Sequence, residues 1–307
     1  MAQACSKILL FGEHFVVYGA ECIAVPVKKY INCTISPSSE DTIFRDQILK
    51  ETTYITSTSK NKKSQLIHLI MERLNLKGHF NISIQGDITP SAGMGSSAAL
   101  SISMIKEFSK FLDTEFQTSQ LNELAFECER IFHGTPSGID NTVIVYERPI
   151  KFKNSGTVKE FKPVEILKPL KIALINSGKR GGTKEMIQKV KALLDKNPQL
   201  KNELLLKIDT IVASAEFALS TGDVAGLGTL INQNQLLLKK IGVSTPNIDE
   251  ICNLALKNGC YGAKLAGSGG GGMVITLLSE EEKELQTFFN ELKLNNFPFI
   301  TTIIEAT

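Results

Sequence analysis

The stretch PSAGMGSSAAL at residues 90–100 carries the strongest local signal in the chain. Before it, Phe80, Ile82 and Ile84 alternate with polar residues, the pattern of a half-buried strand. After it, Ala98, Ile102, Ile105, Phe108 and Leu112 share one stripe at helical spacing. Gly93 and Gly95 permit positive φ and close backbone approach, and Ser96 or Ser97 can cap the helix. A helix N-terminus behind flexible glycines presents unpaired N–H groups and the positive end of a dipole, which suits phosphate. A serine-capped glycine turn with no ligand is the plainer account of the same residues. Two familiar phosphate loops do not fit. The G-x-G-x-x-A scan lacks the acidic residue ending a second strand, since Asp113 and Glu115 fall between two helices. No Lys precedes Ser96, which excludes a Walker loop.

Working outward, residues 7–11, 15–18 and 22–35 read as strands broken by Gly12, Gly19 and Pro26, and residues 64–76 as a helix. A second helix carries Leu121, Leu124, Ala125, Cys128, Ile131 and Phe132 on one face. Strands are expected at 142–146 and 150–152, and residues 154–169, rich in Lys with Gly156, Pro163 and Pro169, read as the inter-domain connection. The second half reads as a strand at 171–175, a helix after Gly182, helices at 199–220, 223–241 and 246–258, a glycine loop between two strands, a helix at 279–294 and a strand at 298–304. Strands and helices in both halves say α+β, with domains at 1–168 and 169–307.

Three further segments carry chemistry. KILLFGEH at 7–14 places Lys7 in an apolar strand and Glu13 and His14 just past its end, where exposed strand-end charges are the alternative. ERIFHGTPSGID at 129–140 sets Glu129 on a helix and Asp140 beyond the turn-formers Gly134, Pro136 and Gly138, at the start of the expected strand. Two such carboxylates can converge on one metal-phosphate centre, or stand as a solvated Glu and a turn Asp. GSGGGG at 267–272 precedes the β-formers Met273, Val274, Ile275 and Thr276, so its glycines imply a backbone that must approach something closely.

Composition narrows the class. At 307 residues with 42% hydrophobic and 21% charged, the chain can bury a real core, which excludes disorder as the main state. Lys and Arg number 34 against 32 Asp and Glu, a net charge of +2 that argues against a dedicated nucleic-acid binder. The six cysteines include no CxxC pair, and no basic start, export segment or long apolar run is apparent. Reduced thiols in the cytosol, without a membrane partner, are the expectation.

Taken in order, Lys7 with GEHFVVYG at 12–19, PSAGMGSSAA at 90–99 and KLAGSGGGG at 264–272 resemble the three motifs of the GHMP family of small-molecule kinases. The likeness runs from residue 7 to 276, and departs from the family pattern at Cys5-Ser6, where Pro-Gly is usual. VVYG after GEH, and ERIFHGTPSGIDN at 129–141, resemble the branch that acts on mevalonate. The resemblance implies a two-domain GHMP kinase fold: a ribosomal-protein-like βαβ N-terminal domain, a ferredoxin-like C-terminal domain and an active site in the cleft between them. It implies ATP-dependent phosphorylation of the primary hydroxyl of mevalonate, with ATP and mevalonate as substrates and a homodimer as one assembly compatible with the family. By motif position, Asp140 would be the base, with Lys7 beside it. Ser97 and Glu129 would hold Mg²⁺. Pro90, Ser91, Ala92, Gly93, Met94, Gly95, Ser96, Ser97 and Ala98 would cradle the phosphates. Glu13, His14, Ser137, Gly138, Thr183, Gly269 and Gly270 would line the substrate. The mevalonate carboxylate needs a cation, for which His14, Lys179 and Arg180 are the candidates, Arg being the best shaped for bidentate bonds. The competing readings are a kinase of the same family acting on a sugar or homoserine, a related decarboxylase, and a nucleotide-binding regulator without catalysis.

Overall fold

Most Val- and Ile-rich runs become strands, and the stripes at helical spacing become helices, in a computed structural model that describes residues 1–88, 93–112, 116–154, 159–178 and 182–307. Contact density divides these into two compact units. The first takes in the described residues of Met1–Lys7, Lys28–Pro90 and Met94–Glu147, and the second those of Ile8–Val27, Ser91–Gly93 and Arg148–Thr307. This division falls ahead of residues 168/169 and assigns the 8–27 segment to the second unit.

In chain order the first unit draws on β1 (Ala2–Phe11), β2 (Glu21–Ser38), β3 (Thr42–Asp46), β4 (Glu51–Ile55), α1 (Lys62–Arg73), β5 (His79–Gly86), α2 (Ser96–Phe108), α3 (Thr118–His133) and α4 (Ile139–Tyr146). Its strands lie in the order β4-β3-β5-β2, with β3 parallel to β5 and β2 antiparallel to it. Phe80, Ile82 and Ile84 of β5 are buried, as their alternation requires, along with Leu66, Ile67 and Ile70 of α1 and Leu121, Leu124 and Ala125 of α3. Phe80 meets Phe108 edge to face at 5.2 Å between ring centroids, closing that core. Helix α2 is buried along most of its length, so it is the central helix of the unit.

The second unit adds β6 (Ile150–Asn154), β7 (Lys159–Pro163), β8 (Leu170–Asn176), α5 (Thr183–Lys196), α6 (Pro198–Thr221), α7 (Val224–Lys240), α8 (Pro246–Lys257), β9 (Gly262–Leu265), β10 (Met273–Leu277), α9 (Glu282–Leu294) and β11 (Phe299–Ile304). Four of these strands form an antiparallel sheet in the order β11-β8-β10-β9. The apolar run Ile172, Ala173, Leu174 and Ile175 in β8 is buried, as a central strand demands. Close packing of α7 on β9 depends on Gly228, where an added Cβ would lie 2.4 Å from the Tyr261 carbonyl oxygen.

Three local expectations need correction. Residues 142–146 lie in helix α4, not in a strand. The β-branched run TVIVY suggests a strand, but Ile139, Thr142, Val143, Ile144 and Val145 are all buried, and that packing outweighs a weak local preference. Residues 15–18 form a 3₁₀ turn, not a strand, ending at Gly19 with φ 92°. Pro26 does not break β2, because it lies between the stretch paired with β6 (21–24) and the stretch paired with β5 (31–38). Among the described residues, no helix is long and apolar enough to cross a membrane.

Candidate active site

Lys7 enters the first unit on β1, with only 5% of its side chain exposed, and its Nζ lies 2.8 Å from Asp140 Oδ1. Asp140 sits in the first turn of α4, behind Gly138 at φ 91°. The turn is held by Thr142 Oγ1, which donates to the Gly138 carbonyl at 2.6 Å, and by the Ile139 N–H, which donates to Ser137 Oγ at 3.4 Å. The sequence placed Asp140 at a strand start; a helix start puts its carboxylate at the positive end of a dipole instead.

Glu129 projects from α3 and is 2% exposed. Burial and the neighbouring Asp140 push its carboxyl up to about 7, against the opposing pull of the Ser97 hydroxyl and Lys7. Its Oε1 is buried without a hydrogen-bond partner, and its Oε2 lies 3.7 Å from His133 Nε2. Ser97, in the first turn of α2, is hydrogen-bonded to the same His133 nitrogen at 3.2 Å. Partial burial draws His133 below the usual imidazole range, with Lys62 and Lys7 adding to that and Asp140 opposing it. Sequence reasoning gave His133 no role, although its i, i+4 spacing from Glu129 was the signal that could have found it.

The glycine loop meets this cluster at its end. Residues 90–92 (Pro90, Ser91, Ala92) lie outside the described residues. Beyond them, the Met94 carbonyl accepts from the Lys7 N–H at 3.1 Å. Gly95, at φ 68°, is the N-cap of α2, and an added Cβ there would stand 3.1 Å from Lys7 Cγ. Glycine therefore lets Lys7 lie against the helix start, where the amides of Ser96, Ser97 and Ala98 have no intrahelical acceptor. Among the described residues no three His, Cys, Asp or Glu side chains gather into a metal cage. The donor set is one hydroxyl and one carboxylate.

A second set of residues gathers within the second unit. The Gly12 N–H donates to Asn234 Oδ1 of α7 at 3.2 Å. Glu13 is 1% exposed and pairs with the wholly buried Lys264 of β9. His14, at φ 63°, donates from Nε2 to the Ser268 carbonyl at 2.9 Å, since a carbonyl can only accept. Burial lowers the His14 pKa, more than the Ser268 contact raises it. A cationic His14 is therefore not favoured at neutral pH, and the ring offers Nδ1 as an acceptor instead. In the GSGGGG loop, Gly269 has φ 69° and the Gly270 N–H donates to the Val243 carbonyl at 2.8 Å. Gly93 abuts the same loop, since an added Cβ would lie 3.2 Å from the Ala266 carbonyl oxygen. Thr183 begins α5, but its side chain, like Lys179 and Arg180, lies outside what the structure describes.

Family models described as the GHMP kinases N terminal domain and GHMP kinases C terminal match residues 61–148 and 214–293. The mevalonate kinase of Methanocaldococcus jannaschii is 32% identical over 305 residues, covering 93% of this chain and 94% of the relative. That of Pyrococcus abyssi is 31% identical over 310 residues, covering 94% and 91%. The crystal structure of L. major mevalonate kinase in complex with R-mevalonate superposes with a TM-score of 0.88 at 27% identity, covering 99% of this chain and 95% of that one.

Proposed function

The chain belongs to the GHMP kinase family, and from that premise we propose that it is a mevalonate kinase. The reaction moves the γ-phosphoryl group of ATP to the primary C5 hydroxyl of mevalonate. The new bond joins that oxygen to Pγ, the bond from Pγ to the ADP oxygen breaks, and 5-phosphomevalonate and ADP leave. The observation that carries the reading is the Lys7–Asp140 pair at 2.8 Å, set beside Glu129 and the glycine-capped start of α2.

Asp140 accepts the hydroxyl proton, and Lys7 holds that carboxylate in place and offsets charge on the developing alkoxide. Amides at the start of α2, with residues 90–98, take the phosphates. The donor set fits Mg²⁺, which binds through one or two protein oxygens and keeps phosphate and water as its other ligands. Ser97 Oγ and the unpartnered Oε1 of Glu129 would hold it, and a divalent charge there would remove the penalty that keeps Glu129 up at about 7. Bound Mg²⁺ supplies neutralisation of the charge on the β- and γ-phosphates. Glu13, His14, Ser137, Gly138, Thr183, Gly269 and Gly270 are assigned to the acceptor side, and the functional domains to 1–168 and 169–307. A cytosolic setting accords with six buried cysteines, none of them in a disulfide.

The test is ADP release by the purified protein with Mg-ATP and, separately, mevalonate, phosphomevalonate, homoserine and galactose, with the product identified by phosphorus NMR. Fastest turnover on mevalonate, yielding a phosphate monoester at C5, is expected. Faster turnover on another alcohol would refute the substrate assignment. Carbon dioxide release would point to a decarboxylase.

A further inference from the structure

Lys264 is 0% exposed, yet it carries an ammonium group, which is costly to bury. It meets Glu13, which is 251 residues away in sequence and itself 1% exposed, and it donates to the Leu265 carbonyl at 2.9 Å. Replacing such a pair with apolar side chains of similar size is often neutral or stabilising, so stability alone is a weak reason for its presence. Its position supplies a better one. Glu13 lies between Gly12, tied to Asn234 of α7, and His14, tied to the glycine loop through Ser268. The neighbouring Gln235 of α7 accepts from the Leu265 N–H at 2.9 Å, fixing the strand end that carries Lys264. Three consecutive residues are thus anchored to a helix, a strand and a glycine loop of one unit. The third of them holds a positive φ that a β-carbon makes unfavourable.

We infer that Lys264 is a positioning residue for the acceptor side of the reaction: by pairing with Glu13 it holds the Gly12–Glu13–His14 turn so that His14 faces the acceptor alcohol in one orientation. Glu13 then acts from inside the unit and does not itself touch substrate. The inference rests on the proposed kinase reading, and its test separates the two. Wild-type turnover on the panel of alcohols is measured first, and whichever alcohol is phosphorylated fastest serves as the acceptor for the variants. Failure on mevalonate therefore removes the substrate assignment without deciding the role of Lys264.

The variants are Lys264→Met and the double variant Glu13→Gln/Lys264→Met, the latter leaving no buried charge unpaired. Stability is measured by urea unfolding, kcat and KM for both substrates by ADP release, and the His14 ring environment by imidazole NMR. Misplacement of a reacting-site group by about an ångström can cost on the order of 10²-fold. The double variant is expected to keep or regain wild-type stability, to lose ~10-fold or more in kcat/KM for the acceptor, to leave KM for ATP unchanged, and to shift the His14 resonances. Wild-type acceptor kinetics in a stable double variant would overturn the inference. So would equal losses toward ATP and acceptor. Failure of both variants to fold would make the pair a structural requirement, which also overturns it.

Discussion

Glu129→Gln should make the metal-free protein more stable and the enzyme much worse. The carboxyl sits at about 7 against an ordinary 4.5 because burial and Asp140 oppose its ionisation. A folded-state pKa raised above the unfolded value gives stability that is present below about 4.5 and lost as pH rises through about 7. The full difference between 4.5 and about 7, at about 1.4 kcal/mol for each tenfold change in proton affinity, is on the order of 3 kcal/mol. Between pH 5 and pH 8 the linkage relation puts roughly 2–3 kcal/mol of that into the wild type as lost stability. Gln has nearly the same shape and no charge, so its curve lacks this component. Urea unfolding of both proteins in EDTA at several pH values should show the variant gaining roughly 2–3 kcal/mol relative to wild type from pH 5 to pH 8. In the same variant, phosphoryl transfer should fall and its Mg²⁺ dependence should weaken, while acceptor KM changes little. Parallel stability curves for the two proteins would refute the electrostatic account. An unchanged Mg²⁺ titration of activity would refute the ligand assignment.

Asp140→Asn should lose roughly 10²–10⁴-fold in kcat while still binding ATP, and near-normal turnover in the folded variant would remove Asp140 as the base. Acceptor KM should stay flat from pH 7 to pH 8, because burial keeps His14 neutral across that window; a KM rising with pH there would show that a charged imidazole is needed. Gly228→Ala should lower stability by roughly 1–3 kcal/mol despite alanine's helix preference, because its Cβ would meet the Tyr261 carbonyl oxygen at 2.4 Å; chemical denaturation reads this directly. The six cysteines should resist a thiol reagent in the native state and react on unfolding, since all are buried and burial pushes thiols such as Cys5 and Cys128 up to about 12.

Much of the proposed site is legible in the sequence because its parts are local. The glycine loop before α2, the α3 stripe carrying Glu129 and the turn-formers before Asp140 each lie within a dozen or so residues, where propensity and periodicity act. What the sequence alone determined was the set of candidate side chains and their order: Lys7, Ser97, Glu129, Asp140 and two glycine loops on a mixed α+β chain. Tertiary structure decided how they are held. Burial on all sides turned a Val- and Ile-rich run into helix α4, which places Asp140 at a helix start. Packing brought His133 onto both Ser97 and Glu129. The wholly buried Lys264 found Glu13 across 251 residues, a pairing that no local pattern encodes, because desolvation and long-range contact exist only once the chain has closed around them.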